Sequence, residues 1–326
     1  MKKMIRNIFC VALVVAAGCT SEQPAQVQPQ VSPPLPGGMR PDIVATNAFY
    51  YYRDVDDAWD FYRDTLGLET VVDYGFAKIM RLADSSYVTL VEAAEGMHSA
   101  DEPKLVTLHL VTDTLNLWHS RFLRLGVDIE YGGAGPAEGI PDSFTVRDTD
   151  GYALRFVRYN PHPNSETYVD AFAYAPPVMS AAKEDGELSI RATAFSIYYN
   201  DVGEVRSFFE GLFDTEPVAL LDGSPLYQLA GSGFVSLENY QGPGTIERGK
   251  TGMTLSLFTN EVDAWFARAS AWPGMELRTD KVVDESGRVR VFVGYDPAGV
   301  FFEWDTFLDL PDNRALVAYL ETSDVY

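Results

Sequence analysis

The stretch 47-NAFYYYRDVDDAWDFYRDTLGL-68 begins as a strand and turns into an amphipathic helix that stops at Leu66-Gly67. The pattern returns along the chain. Comparing 53-RDVDDAWDFYRDTLGLE-69 with 112-TDTLNLWHSRFLRLGVD-128 aligns Asp54 with Asp113, Trp59 with Trp118 and Gly67 with Gly126, each pair 59 residues apart. The second copy has the apolar stripe Leu115, Trp118, Phe122, Leu125, and each glycine stands where a helix ends.

A longer repeat, displaced by 147 residues, overlays this one. Asp54-Val55 recurs as Asp201-Val202 and Trp118 as Trp265. The segments 201-DVGEVRSFFEGLF-213 and 259-TNEVDAWFARAS-270 copy the two helices, and 148-DTDGYALRFV-157 is echoed by 296-DPAGVFFEWD-305. Strand-like runs at 75–82, 86–93, 142–148 and 152–159 complete two strand–helix–strands units, with counterparts in the second half.

The N-terminus reads differently. Lys2, Lys3 and Arg6 precede the apolar run 8–17, which has signal-peptide length and is too short to span a bilayer. Ala16-Ala17-Gly18-Cys19 resembles a bacterial lipobox, which implies cleavage before Cys19 and lipidation of its thiol. Thr20 after the cysteine, by the same resemblance, points to the outer membrane, on its periplasmic side, of a Gram-negative cell envelope. The tether 20-TSEQPAQVQPQVSPPLPGG-38 is too rich in Pro, Gln and Ser to bury a core.

The other cysteine, Cys10, lies within the signal segment, so the mature chain is expected to have no disulfide or cysteine nucleophile. The formal charge is −22, and −25 without Lys2, Lys3 and Arg6. So acidic a body argues against a phosphate-backbone partner, and nucleic acid is excluded.

The helix starts, the DPDG-like hairpins and their spacing resemble the vicinal oxygen chelate superfamily of glyoxalase I, bleomycin-resistance proteins and extradiol dioxygenases. The resemblance covers 40–160 and 189–308. It implies an α+β fold of two tandem glyoxalase-like modules, each of paired βαβββ units in a curled sheet around a small cavity. The expected organisation is signal peptide 1–18, tether 19–39, module 40–160, linker 161–188, module 189–308 and tail 309–326. Whether the two modules share one cleft is open.

In that family a metal is typically held by His or Gln on the first strand, His before the second helix and Glu on the last strand. Counting back seven residues from each helix-start Asp or Asn finds Asn47 and Val106 in module 1, and Ala194 and Met253 in module 2. The last-strand positions are Arg155 and Glu303. This set lacks imidazole, so no metal cofactor is expected; Glu303 is the candidate acid or base, unless it pairs with Arg290. Glu238 falls near a fourth-strand position. His109 lies three residues from the counted position and is expected on the opposite face, a packed or edge histidine. The other histidines, His98, His119 and His162, fall in loops or beside a helix stripe. A strand bulge would turn His109 inward, so a divalent metal (Fe, Mn, Ni or Zn) on His109 with Glu92 or Glu303 stays the alternative.

The same parity puts Asn47, Phe49, Tyr51, Val106, Leu108, Leu110 and Arg155 on one pocket face, with Arg155 to fork a carboxylate or phosphate. Tyr50 and Tyr52 fall on the helix side. The second module's face offers Ala194, Ser196, Tyr198, Met253, Leu255, Leu257 and Glu303. The expected function is a lipid-anchored envelope protein that binds a small aromatic or anionic molecule. Its alternatives are a metal-dependent lyase, isomerase or dioxygenase, and a non-catalytic interaction module. The expected partners are that ligand, the membrane through Cys19 and, as an open alternative, a second copy of the chain in a homodimer.

Overall fold

The computed structural model describes residues 40–131, 142–159, 166–173, 176–221 and 223–323. The signal segment, Cys19, the whole tether, His162 and the glycine-rich loop 132–139 lie outside the described residues.

Four units follow one another. The first contains β1 (Ala45–Tyr52), α1 (Val55–Asp60), β2 (Glu69–Asp73), β3 (Ala77–Ala83) and β4 (Ser86–Glu92). The second contains β5 (Val106–Val111), α2 (Leu115–Leu125), β6 (Glu130–Tyr131), β7 (Asp142–Arg147) and β8 (Ala153–Arg158). After α3 (Glu166–Phe172), β9 (Val178–Met179) and β10 (Ser189–Ile190) comes the third: β11 (Ala192–Tyr199), α4 (Val202–Phe213), β12 (Ala219–Leu221), β13 (Ser224–Ala230) and β14 (Gly233–Asn239). The fourth holds β15 (Met253–Phe258), α5 (Val262–Ala271), β16 (Glu276–Leu277), β17 (Val283–Glu285), β18 (Val289–Tyr295) and β19 (Phe301–Phe307), and α6 (Arg314–Leu320) closes the chain. This is the α+β, tandem glyoxalase-like build.

The open question of shared clefts is answered by strand order. The first sheet runs β16-β18-β19-β15-β1-β4-β3-β2, with β17 on β18; the second runs β12-β13-β14-β11-β5-β8-β7-β6. Unit one therefore completes its sheet with unit four, and unit two with unit three, through the antiparallel pairs β1–β15 and β5–β11. The sheets meet at residues the 147-residue repeat makes equivalent. Ser85 and Ser232 donate backbone N–H to each other's Oγ at 2.8 and 2.7 Å.

Helix starts show why the units align. Asp54 caps α1, accepting from Asp56 N and Asp57 N at 3.0 and 3.2 Å, and Asp201 caps α4 through Gly203 N at 2.7 Å. In the second and fourth units the capping positions are Thr114 and Glu261, one residue beyond the aligned Asp113 and Asn260. By structure, then, Ala58 and Tyr62 match Trp118 and Phe122, and these four are buried in one core. That core also takes Tyr50, Tyr52, Val106, Leu108, Phe195, Leu255, Phe302 and Trp304 from the helix-facing sides of both sheets.

The segments expected as linker and tail are structural. Both α3 and α6 follow the last strand of a module, 148 residues apart, and both pack on the opposite, concave face. Phe172 lies on Phe234 with ring centroids 4.8 Å apart. Leu316 is buried against Val72, Ile79, Tyr87 and Phe258.

Gly67 and Gly126 both end helices at positive φ, 66° and 71°. A Cβ on Gly67 would stand 2.3 Å from Ser180 Oγ and 2.8 Å from Ala182 N, whereas one on Gly126 meets nothing within 4 Å. Ser180 Oγ donates to Leu66 O and Ala181 N to Gly67 O, both at 2.8 Å, so the inter-module segment docks on this turn. Gly126→Ala is expected to cost about 1 kcal/mol from backbone strain alone. Gly67→Ala adds a backbone clash and is expected to cost about 3 kcal/mol. Urea unfolding of both variants checks this; equal losses would rule out the docking argument.

Candidate functional site

The concave face of the first sheet holds a pocket where units one and four meet. Its lining includes the aromatic Phe49, Tyr51, Tyr74, Phe76 and Phe307, the carboxyls of Glu303, Asp305 and Glu285, and Arg288. It encloses about 840 Å³ of empty space, counting its mouth. Strand parity builds it: Phe49 and Tyr51 alternate on β1, Glu303 and Asp305 on β19. The Tyr51 hydroxyl is hydrogen-bonded to Thr254 Oγ1 at 2.7 Å, and its ring lies against Gly96, where a Cβ would come within 2.6 Å. Asn47 sits deeper on the same face and is fully buried. Its amide donates to Thr89 Oγ1 at 2.9 Å and accepts back at 3.1 Å, so its polar atoms are satisfied internally.

Three carboxyls share this low-dielectric corner. Burial, then the neighbouring Asp305 and Glu285, push Glu303 well above the usual carboxyl range, and Glu303 hydrogen-bonds Asp305. Burial brings Asp305 up to about 6 although Ser256 Oγ donates to it at 2.6 Å. Glu285 is raised to about 7 by burial and by Asp305. Like charges so close cannot all ionise, so the cluster holds protons near neutral pH. A carboxyl protonated there can donate a hydrogen bond or a proton to a ligand.

The expected Arg290 partner for Glu303 is corrected: Arg290 reaches Asp263 on α5 at 2.7 and 2.8 Å. Arg155 is on the concave face, but of the second sheet, donating to Ser143 Oγ at 3.2 and 3.1 Å. Tyr198 and Glu238 are paired across β11 and β14 on that same sheet, with Tyr198 Oη 3.0 Å from Thr107 Oγ1. Of the expected ligand-binding set, Phe49 and Tyr51 line the pocket, while Asn47 lies beside it.

Val106, Leu108, Leu110, Met253, Leu255 and Leu257 are corrected too, because they face the helices in the main core. The physical reason is the one-residue longer turn before Thr114 and Glu261. A shift of one along a strand moves every side chain to the other face. The same slip turns His109 inward without any bulge, contrary to the expectation of an outward histidine. It also hid Ser256, and sequence reasoning stopped at Glu303 although Asp305, two residues on, shares its face. Phe307 shares the parity of Glu303 and Asp305 on β19 and was readable in the same way; Tyr74 and Phe76, in the turn between β2 and β3, and Glu285 on β17 had no signal, since their place at the pocket depends on the joining of units one and four.

With parity corrected, the positions of the family's metal triad are in register. On the first sheet they are Asn47, Ser256 and Glu303, on the second Ala194, His109 and Arg155. The ligand types that survive, a carboxylate and an imidazole, are thus split between two sheets. The alternative pair His109 and Glu303 is not brought together, and Glu92 accepts from Val55 N at 3.2 Å at the start of α1. No group of three or more His, Asp, Glu or Cys among the described residues is placed to hold a metal. These donors do not fit the triad.

Residues 43–156 match the family model of the Glyoxalase/Bleomycin resistance protein/Dioxygenase superfamily. The chain carries a domain of that superfamily. Glyoxalase I from Zea mays is similar in structure at a TM-score of 0.55 and 13% identity, over 87% of this chain and 96% of that one. A candidate dioxygenase from Bacillus subtilis subsp. subtilis str. 168 is similar at 0.56 and 15%, over 82% and 86%. At such identities the likeness concerns the fold. No curated protein matches the chain.

Proposed function

We propose that the protein is a lipid-anchored receptor or sequestering protein of the cell envelope, fixed through Cys19 with its domain on the periplasmic side of the outer membrane. Its ligand is a small molecule with an aromatic or apolar body and a hydrogen-bond-donating or cationic head. The observation that supports this is the pocket itself: five aromatic side chains and three carboxyls line one cavity. Aromatic faces and carboxylates both attract organic cations, and a concave, mostly apolar pocket with a few polar groups suits a small ligand. A cationic head suits this pocket better than an anionic one, since three carboxyls line it while Arg288, the guanidinium in its lining, is paired with Asp312 and lies over the Tyr74 ring.

The experiment is a thermal-shift comparison of phenethylamine with its neutral analogue 2-phenylethanol. A ligand at about a hundred times its Kd stabilises by about 2.7 kcal/mol. Phenethylamine is expected to raise the melting temperature by several degrees, 2-phenylethanol by less, and Glu303→Gln to remove the difference. Equal shifts with both compounds, or none with either, would refute the reading.

A further inference from the structure

The hydrogen bond between Glu303 and Asp305 in the aromatic pocket requires a proton, because two carboxylates offer acceptors only. Both side chains are deep, 8% and 2% exposed. The Ser256 hydroxyl adds a contact, donating to Asp305 Oδ2 at 2.6 Å. Glu285, on β17, lines the same cavity.

The protein's own cations do not neutralise this cluster. Among the described residues, the guanidiniums on and beside β18 have other partners. Arg288, in the lining, pairs with Asp312 at 3.2 Å and lies 5.0 Å from the Tyr74 ring centroid. Arg290 pairs with Asp263 at 2.7 Å, and Arg278 reaches the Met97 sulfur at 3.6 Å. A buried carboxylate with no cation beside it takes up a proton instead. Burial accordingly brings Asp305 up to about 6 and, with Asp305 nearby, Glu285 up to about 7. The other ionisable groups of the lining keep their charge state between about pH 5 and 8, since burial raises the phenols of Tyr51 and Tyr74 and Arg288 is a guanidinium. His98 stands behind Tyr51, its ring 5.0 Å away and its Nδ1 2.7 Å from Glu102, outside the lining.

We infer that this site exchanges protons for its ligand. An organic cation enters as the Glu303–Asp305 pair and Glu285 release protons to the solvent, and acid returns those protons and expels the cation. Proton and ammonium compete for the same carboxyl oxygens, so each weakens the binding of the other by the same factor. The site is loaded at neutral or higher pH and emptied by acidification. This rests on the reading of the pocket as a site for organic cations and adds its regulation.

Calorimetric titration of the purified chain with phenethylamine tests it, at pH 6 and pH 8, each in two buffers of different ionisation enthalpy. The buffer comparison counts the protons released and needs no variant. Phenethylamine is an aliphatic ammonium like that of lysine, whose pKa is about 10.4, and keeps its charge at both values. About one proton or more should leave per ligand at pH 6. The Kd there should be at least about tenfold weaker than at pH 8, the factor set by one carboxyl that titrates near 7. Glu285→Gln should lower the proton count by about one and bring the two affinities closer. The neutral 2-phenylethanol should release none. Equal affinity at both pH values without proton release would overturn the exchange and leave the cation reading standing. A proton count unchanged in Glu285→Gln would overturn it too, by placing the protons elsewhere. No binding of phenethylamine at either pH would refute the cation reading, and the exchange with it.

Discussion

Glu303→Gln is expected to stabilise the folded chain at pH 8 by about 2 kcal/mol and to flatten its pH dependence. Three carboxyls meet in the pocket, and each has a folded-state pKa above its ordinary value. A group raised in this way binds its proton more tightly folded than unfolded. Stability therefore falls as pH rises from the ordinary carboxyl range through the folded pKa. With Asp305 near 6 and Glu285 near 7, their part of the loss spans roughly pH 4 to 7, and the part of Glu303, raised well above the carboxyl range, continues beyond it. Asp148 and Asp296, both raised to about 6 by burial, add to it. His109, held down to about 3, opposes it between about pH 3 and 6.5, and Glu102, lowered to about 2, acts only below the ordinary carboxyl range. The wild-type chain should thus be more stable at pH 5 than at pH 8. Glutamine keeps a donor for Asp305 while removing one ionisation. Urea unfolding at pH 5, 6, 7 and 8 measures both effects. A variant less stable than wild type at pH 8, with the slope intact, would refute the shared-proton account.

The second large effect concerns Asp148, the first residue of the hairpin turn that precedes β8. Its carboxylate accepts from Tyr52 Oη at 2.6 Å, Tyr62 Oη at 3.0 Å, Tyr152 N at 2.9 Å and Asp150 N at 3.2 Å. The Tyr152 hydroxyl carries the connection on, accepting from Tyr51 N at 2.8 Å and donating to Gly252 O at 2.5 Å. One buried carboxylate thus ties β1, the π-helical turn Phe61–Thr65 that follows α1, and the turn before β8 to the start of β15. Asp148→Ala leaves two tyrosine hydroxyls and two amides without their acceptor, and is expected to cost about 4 kcal/mol. Asp148→Asn, which keeps one acceptor oxygen, should cost about half as much. Urea unfolding at pH 6 is the measurement, and a loss under about 1 kcal/mol for Asp148→Ala would show that the network is replaceable.

The turn around Asp148 was readable, since 148-DTDG-151 and 296-DPAG-299 stand 148 residues apart and each places its glycine at φ 90° and 89°. Asp54 and Asp201 were readable as helix starts, and Phe49, Tyr51 and Glu303 as concave residues. The site as a whole was not. Aligning Asp54 with Asp113 matched the residue type but missed that Thr114 is the capping position. That single residue moved Val106 and Leu108 to the wrong face and hid His109 and Ser256. Asp305 escaped for a different reason: the family resemblance points to one carboxyl on the last strand, whereas every side chain of like parity on β19 faces the pocket.

By itself the sequence determined four βαβββ-like units, their order and their α+β class. Hydrophobic period, capping residues and glycine stops are local, and each acts within a few residues. Only the tertiary structure decided which units share a sheet, because the pairing of β1 with β15 and of β5 with β11 joins strands far apart in the chain. No local pattern distinguishes such a partner from its repeat. That choice put Phe49 and Tyr51 in one pocket with Glu285, Glu303 and Asp305, and moved Arg155 and His109 to the concave face of the other sheet.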